Sequence, residues 1–392
     1  MNGLKPDWKV VKFGDVVKNA NLVERDPESN GVERIVGLEH IDPENLHIRR
    51  WNSVENGTSF SRKFVPGQTL FGKRRAYQRK VAFADFEGIC SGDILTFEPK
   101  NRKVLLPELL PFICQSDAFF DHALDTSAGS LSPRTSWTAL QDFEFPLPPI
   151  DEQKRIAEIL WAADESAEAG RLVNTDLEKL LQVKINHFAH QEAERGNEHL
   201  LADCIDPNRP ITYGILKPGL NFEGGIKVVK VRDYPNGVIV LDDLLHTTPE
   251  IEKGYKRSRL IPGDILISIR GTVGRVAEVP PELDGANITQ DTARLSIKSD
   301  LHHRYVRTIL ESNYAQRQIT SKITGLAVQG INIGELRKIR IPIPDLNVQE
   351  KFASECIAIR IAQTCCARSI ASLKILIEGF FEASVNGEGV HV

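Results

Sequence analysis

The feature that most limits the fold is an internal repeat. The stretch FPLPPIDEQKRIAEIL, from Phe145, returns in altered form as IRIPIPDLNVQEKFASEC, from Ile339. Pro146, Pro148 and Pro149 lack a backbone N–H and hold the chain extended, so they end whatever precedes them. Asp151 then stands where a helix N-cap is wanted, with Glu152 in the first turn, both suited to the positive end of a helix. Ile156, Leu160, Ala163 and Ala167 follow at steps of four and three, the spacing of a coiled-coil seam. In the second copy Pro342 and Pro344 match Pro146 and Pro148, Asn347 matches Asp151, Gln349 matches Gln153 and Phe352 matches Ile156. Further along, Leu373 matches Leu177 and Ile377 matches Leu181. Each pair is 196 apart, as 342 is from 146. An unbroken register over about forty residues marks a duplication.

The repeat extends upstream. FVPGQTLFGKRR from Phe64 matches LIPGDILISIRG from Leu260, and the loop GSLSPRTS matches GLAVQGIN. Each copy has a Pro-Gly turn, short β-branched runs, a helix and a proline exit. The helices are expected in LLPELLPFICQSDAFFDHAL and HHRYVRTILESNYAQRQI. The fold class is therefore mixed α+β. A first globular domain spans residues 1–150, a long helix 151–195, a second globular domain 196–345, a second long helix 346–385 and a tail 386–392. A helix of about forty residues is roughly 60 Å long and cannot bury its own stripe. The expected solution pairs the two helices antiparallel as a coiled coil, giving pseudo-two-fold symmetry within one chain.

Composition narrows the class. The 392 residues are 41% hydrophobic and 26% charged, ordinary for a globular protein. No signal-like apolar core opens the chain and no run of eighteen apolar residues occurs, so no membrane is expected. Six cysteines without a C-x-x-C pair point to a reduced, cytoplasmic protein free of zinc and disulfides. Net charge is −4, but residues 151–199 alone carry eleven Asp/Glu against six Lys/Arg. The globular segments are near neutral with local basic runs, which suffices for phosphate binding.

The densest run is GKRRAYQRK. There Lys73, Arg74, Arg75, Arg79 and Lys80 could grip phosphates or guanines, and Tyr77 and Gln78 could reach a base edge. The plain alternative is a solvated strand-turn face. In the second copy KGYKRSR offers Lys253, Tyr255, Lys256, Arg257 and Arg259, and Arg270 and Arg275 flank the turn GTVG.

Several patterns mislead. GQTLFGKR nearly fits a phosphate-binding P-loop, but Arg74 stands where a Ser or Thr must hold magnesium. IRGTVG is more cheaply a hairpin turn than a GXXG loop. EQK at Glu152 has the spacing of some nuclease sites, yet its second copy reads VQE. His187 and His190 share a helix face without carboxylate or thiol support, and His302 and His303 read as solvent-exposed, so no metal or cofactor is expected. No methyltransferase tetrapeptide, glycine-rich cofactor loop or helicase box is present, which argues for a non-catalytic chain.

PLPPIDEQKRIAEIL resembles the start of the central helical region in specificity (S) subunits of type I restriction-modification systems. FGKRRAYQRKVAFADFEGICSGDIL and PGDILISIRGTVGRVAEVPPELDGANITQDTARL look like elements of their two target-recognition domains. The likeness covers nearly the whole chain, although Val348 stands where Glu152 stands in the first copy. It implies a DNA-binding subunit, active in phage defence, that performs no chemistry. Each globular domain would read one half of a split double-stranded DNA target. The helices would set the gap and bind two methyltransferase (M) subunits, with motor-nuclease (R) subunits joining the larger assembly. It also places the loops at Ser132, Arg134, Gln329 and Asn332 near DNA.

On the first long helix Ile159, Trp161, Leu172, Leu180 and Ile185 lie off the seam. A two-helix coil cannot cover them all, so this face is expected to take the methyltransferase subunits, unless the side chains tuck against the globular domains. Competing readings are a specificity module of a methylation-only system, a symmetric protein–protein scaffold, and a nuclease acting through EQK.

Overall fold

A computed structural model of the chain describes residues 7–129, 132–325 and 329–386, with side chains to Phe381. Its packing resolves into two compact units. The first comprises the N-terminal part to Val173 together with the end of the chain from Cys366, and the second runs from Asn174 to Cys365. Each long helix therefore contributes one half to each unit. The helices are Ile150–Glu194 and Leu346–Asn386.

In the first unit a four-stranded sheet has the order Val17–Asn19, Ile94–Pro99, Thr69–Gly72, Val81–Phe83, all antiparallel. A second sheet of five short strands contains a parallel pair, Arg34–Val36 beside Gly88–Cys90. The second unit repeats the first design with Thr212–Tyr213, Thr292–Leu295, Ile265–Ser268 and Val276–Glu278. It repeats the parallel pair with Ile226–Val229 beside Asn287–Ile288. In both units the segment entering the long helix pairs with the start of the unit: Glu144–Leu147 with Lys9–Lys12, and Arg340–Pro342 with Glu198–Leu200. The duplication inferred from sequence is thus a duplication of topology.

Each expected globular-domain helix proves to be two. Leu110–Gln115 and Asp117–Asp125 are broken at Ser116; His303–Leu310 and Asn313–Ser321 are broken around Ser312. Both serines are extended, and their hydroxyls accept from Phe119 N and Ala315 N, opening the second helix of each pair. A serine that bonds the backbone competes with helix continuation, and here it wins. The helix-start reading also shifts. Asp151 and Asn347 lie inside the first turn, and the carbonyls of Pro149 and Asp345 begin the hydrogen-bond ladders.

The expected seam is buried. Ile156, Leu160, Ala163 and Ala167 are all buried, and Ile156 and Leu160 join the core of the first unit, against which Ile377, Phe380 and Phe381 of the second helix pack. Gly170 faces Ile370 so closely that a Cβ there would lie 3.0 Å from its Cγ1. In the second unit Phe188 stacks on Phe352 with ring centroids 3.8 Å apart, and Lys184 Nζ meets Glu355 Oε2 at 2.7 Å. Within each unit the two helix halves therefore run antiparallel.

The off-seam residues separate. Trp161 is partly buried: its Nε1 donates to the Glu108 carbonyl at 2.8 Å and its ring packs on Phe83 and Phe112. Ile185 is 1% exposed in the second core, and Ile159 is half-buried. Ile185 is thereby removed from the exposed face, because the globular part of each unit folds over its helix and takes up apolar side chains a bare coil would leave out. Leu172 and Leu180 remain exposed, as do Val173 and Val183. On the second helix Ile361, Ile375 and Leu376 are exposed too. That helix is long and apolar enough, by length and composition, to cross a membrane, although charged residues interrupt its apolar runs. All six cysteines are free.

Candidate nucleic-acid interface

In the first unit the basic run begins where strand Thr69–Gly72 ends. Lys73 N donates to Asp93 O at 3.0 Å, and Thr135 N donates to Lys73 O at 3.0 Å. Arg75 N donates to Pro133 O at 2.8 Å. Residues 73–75 are thereby laid along 133–135, which brings the run and the SPRTS loop together. Arg75 and Arg79, with φ of 54° and 51°, bracket the short 3-10 turn Ala76–Gln78 and raise Tyr77 into solvent. The left-handed backbone is costly for arginine and is held by the bonds around it.

The side chains converge on one carboxylate. Arg134 Nε and Nη2 donate to the two oxygens of Asp93 at 3.0 and 3.4 Å. Arg74 Nη1 lies 3.6 Å from Asp93, and Arg74 and Arg75 both reach Ser132 Oγ, at 3.3 and 3.4 Å. Arg62 lies nearby, donating to Gly92 O, next to Asp93, at 3.2 Å. Burial works to raise the Asp93 carboxyl, but the Arg134 bond and the charges of Arg134, Arg74 and Lys73 hold it below the usual range. Lys73 is lowered, first by burial and then by Arg62. Several cations around one anion leave an excess of positive charge at the surface.

Not every predicted residue belongs to this cluster. Arg79 donates to Gln115 O at 2.8 Å, pairs with Asp117 at 2.7 Å and lies over the Phe120 ring at 4.6 Å. Lys80 Nζ donates to Leu38 O at 2.6 Å. Both tie the run to the body of the unit. Gln78 is half-buried, its N–H closing the turn on Arg75 O.

The second unit builds the same frame. Ile269 N donates to Asp291 O at 2.8 Å and Ile331 N to Ile269 O at 2.9 Å. Arg270 bridges Gly330 as Arg74 bridges Arg134. Arg270 Nη1 donates to Gln290 Oε1 at 2.9 Å, and Arg275 Nη1 to Val231 O at 3.0 Å. Arg270 walls two open clefts of about 540 and 450 Å³, one lined by Tyr213, Thr324 and Asn332, the other by Arg232, Arg275 and Asp291. Gln329 is exposed and uses its carbonyl to accept from Gly271 N. Asn332 proves to be a helix cap, its Oδ1 accepting from Glu335 N at 2.9 Å. Leu131 and residues 326–328 of these loops lie outside the described residues, as does Ser130.

The run KGYKRSR forms a 3-10 segment, Lys253–Ser258, staked from beneath. Asn287 Nδ2 donates to Tyr255 O at 3.1 Å, Ser258 Oγ to Asn287 Oδ1 at 2.7 Å, and the buried Arg294 to Arg257 O at 3.1 Å. Arg259 is exposed and also serves as a stake, its Nη2 meeting the buried Glu252 at 2.6 Å. That bond holds the Glu252 carboxyl low. Lys253, Lys256 and Arg257 point outward from this anchored segment. Rigid backing lowers the entropy lost when such side chains bind.

The misleading motifs are absorbed structurally. Glu152 of EQK accepts from Trp8 Nε1 at 2.8 Å, and GTVG is the turn between two antiparallel strands. No cluster of three or more His, Cys, Asp or Glu in a metal-holding arrangement occurs among the described residues. His302 is a helix cap and His303 pairs with Glu278 at 3.3 Å. Sequence reasoning missed Asp93, Asp291 and Gln290. The signal was present, since SGD at Ser91 and TQD at Thr289 precede equivalent strands, but two extra residues in the second copy shift the offset from 196 to 198.

Two copies of an α+β unit on long paired helices define the class. Residues 5–175 and 215–355 match the family described as "Type I restriction modification DNA specificity domain", and the chain belongs to that family. It is 28% identical over 269 residues to the type I restriction enzyme EcoBI specificity subunit of Escherichia coli, covering 60% of this chain and 56% of that one. The matched stretch thus spans little more than half of that relative. Likeness to the MjaVIII specificity subunit of Methanocaldococcus jannaschii is 21% over 404 residues, covering 90% of this chain and 86% of that one. The fold is shared with the type I restriction-modification S subunit of M. genitalium, with a TM-score of 0.59 at 15% identity and coverage of 98% and 99%. A chain from a structural study of type I R-M complex assembly matches with a TM-score of 0.55 at 21% identity, covering 98% and 99%.

Proposed function

We propose that the chain is the non-catalytic DNA-recognition subunit of a type I restriction-modification complex. Each unit reads one half of a bipartite double-stranded target. The carrying observation is the recurrence of one frame in both units, in which an arginine leaves the end of the central strand and bridges the loop that precedes the long helix, as Arg74 with Arg134 and Arg270 with Gly330. Outward basic groups, among them Lys253, Lys256 and Arg257, grip phosphates and fix register, while base edges supply specificity. The exposed apolar residues of the long helices receive two methyltransferase subunits, and motor-nuclease subunits join through them. The free cysteines suit a reducing cytoplasm.

Two measurements test this. Methylation mapping of host DNA with and without the gene is expected to show loss of one bipartite motif; no change would remove the proposal. Lys256→Ala with Arg257→Ala is expected to weaken binding across sequences and to reduce the salt slope by about one unit for each phosphate no longer neutralised.

A further inference from the structure

We propose that Arg74 reads a guanine edge in the first half-site, and that Asp93 is the residue that positions it. This rests on the DNA-reading proposal and deepens it by naming a reader and its base. Arg134 and Arg74 meet Asp93 in different ways. Arg134 is the more firmly held, its Nε donating to one Asp93 oxygen at 3.0 Å with Nη2 at 3.4 Å from the other. Arg74 is held only at 3.6 Å from Asp93 and 3.3 Å from Ser132 Oγ, at or beyond the reach of a good hydrogen bond. Its side chain is 39% exposed. A guanidinium kept in place by weak contacts retains its donors for a better acceptor pair. Guanine O6 and N7 are such a pair, matched to the planar fork.

The second unit isolates the feature. Asp291 and Arg270 take the places of Asp93 and Arg74, but Gly330 stands in place of Arg134 and Arg270 donates to Gln290 instead. The carboxylate latch therefore belongs to the first unit.

The test uses the full chain assembled with its methyltransferase partners, on its mapped target, with each guanine of the half-site replaced in turn by 7-deazaguanine. At one position the wild type is expected to lose about tenfold in affinity. Arg74→Ala abolishes that sensitivity. Arg74→Lys, which keeps the charge and loses the fork, weakens that sensitivity while leaving the salt slope unchanged. Asp93→Asn reduces the sensitivity and raises affinity for unrelated DNA. If Arg74→Ala stays sensitive to the same guanine, another group reads that base and the inference is overturned. A wild-type complex with no sequence preference overturns the DNA-reading proposal itself, a separate result.

Discussion

Gln153 and Gln349, 196 residues apart, do the same job in the two units. Each lies in the first turn of a long helix, is almost wholly buried, and donates from Nε2 to the carbonyl of the proline five residues before it, Pro148 or Pro344, at 2.8 Å. Each Oε1 accepts a backbone N–H from the segment before a globular-domain helix, Leu106 at 2.9 Å and His302 at 3.0 Å. Gln153 donates additionally to Val104 O at 2.8 Å. The proline exit, the helix start and the globular body are thus joined at one side chain in each unit.

Gln153→Leu is expected to destabilise the first unit by about 2–4 kcal/mol, because buried backbone groups lose their partners. Gln349→Leu leaves fewer groups unpaired and should cost less. Denaturant unfolding of the full chain measures both. Equal and negligible losses would show that water replaces the amide.

The acid limb of stability is expected to depend on Glu278. Burial works to raise its carboxyl, but hydrogen bonds from His303 at 3.3 Å and Arg304 at 3.0 Å take it from 4.5 down to about 2. A carboxyl lowered in the folded state contributes stability in full above its unfolded value and loses it as pH falls through the folded one. The contribution, at most about 3 kcal/mol, should disappear between pH 4.5 and 2. Glu278→Gln should be less stable at neutral pH and flatter across that window, followed by thermal unfolding against pH. An unchanged acid limb would assign it to other carboxylates.

The exposed helix face and the buried one should respond differently. Trp161→Ala is expected to cost about 3 kcal/mol, through loss of its packing on Phe83 and Phe112 and its bond to Glu108. Leu172→Glu and Leu180→Glu, at half-exposed positions, should leave the melting temperature within a few degrees. The leucine variants should nevertheless lose most of the co-purifying methyltransferase subunit. Full co-purification with both leucines changed would move the partner surface elsewhere, with exposed Ile361 and Ile375 of the second helix next to be varied.

Periodicity and punctuation are local properties, so the sequence alone determined the elements that depend on them. The proline stops, the two long helices, their buried seam and the repeat at 196 residues could be read from spacing, because a coil buries residues by their position in the turn. The basic segments could be located for the same reason. The use of each charge could not. Arg74, Arg79 and Arg134 have the same side chain, yet one is loosely held, one is built into the body of the unit and one is locked to a carboxylate. That difference is set by which acceptors the fold brings within about 3 Å, and Asp93 reaches Arg134 across forty-one residues of chain. Ser116 and Ser312 broke helices that composition favoured, Ile185 went inside and Trp161 was drawn partly against the body, because long-range packing outweighs local preference wherever a globular body closes over a helix.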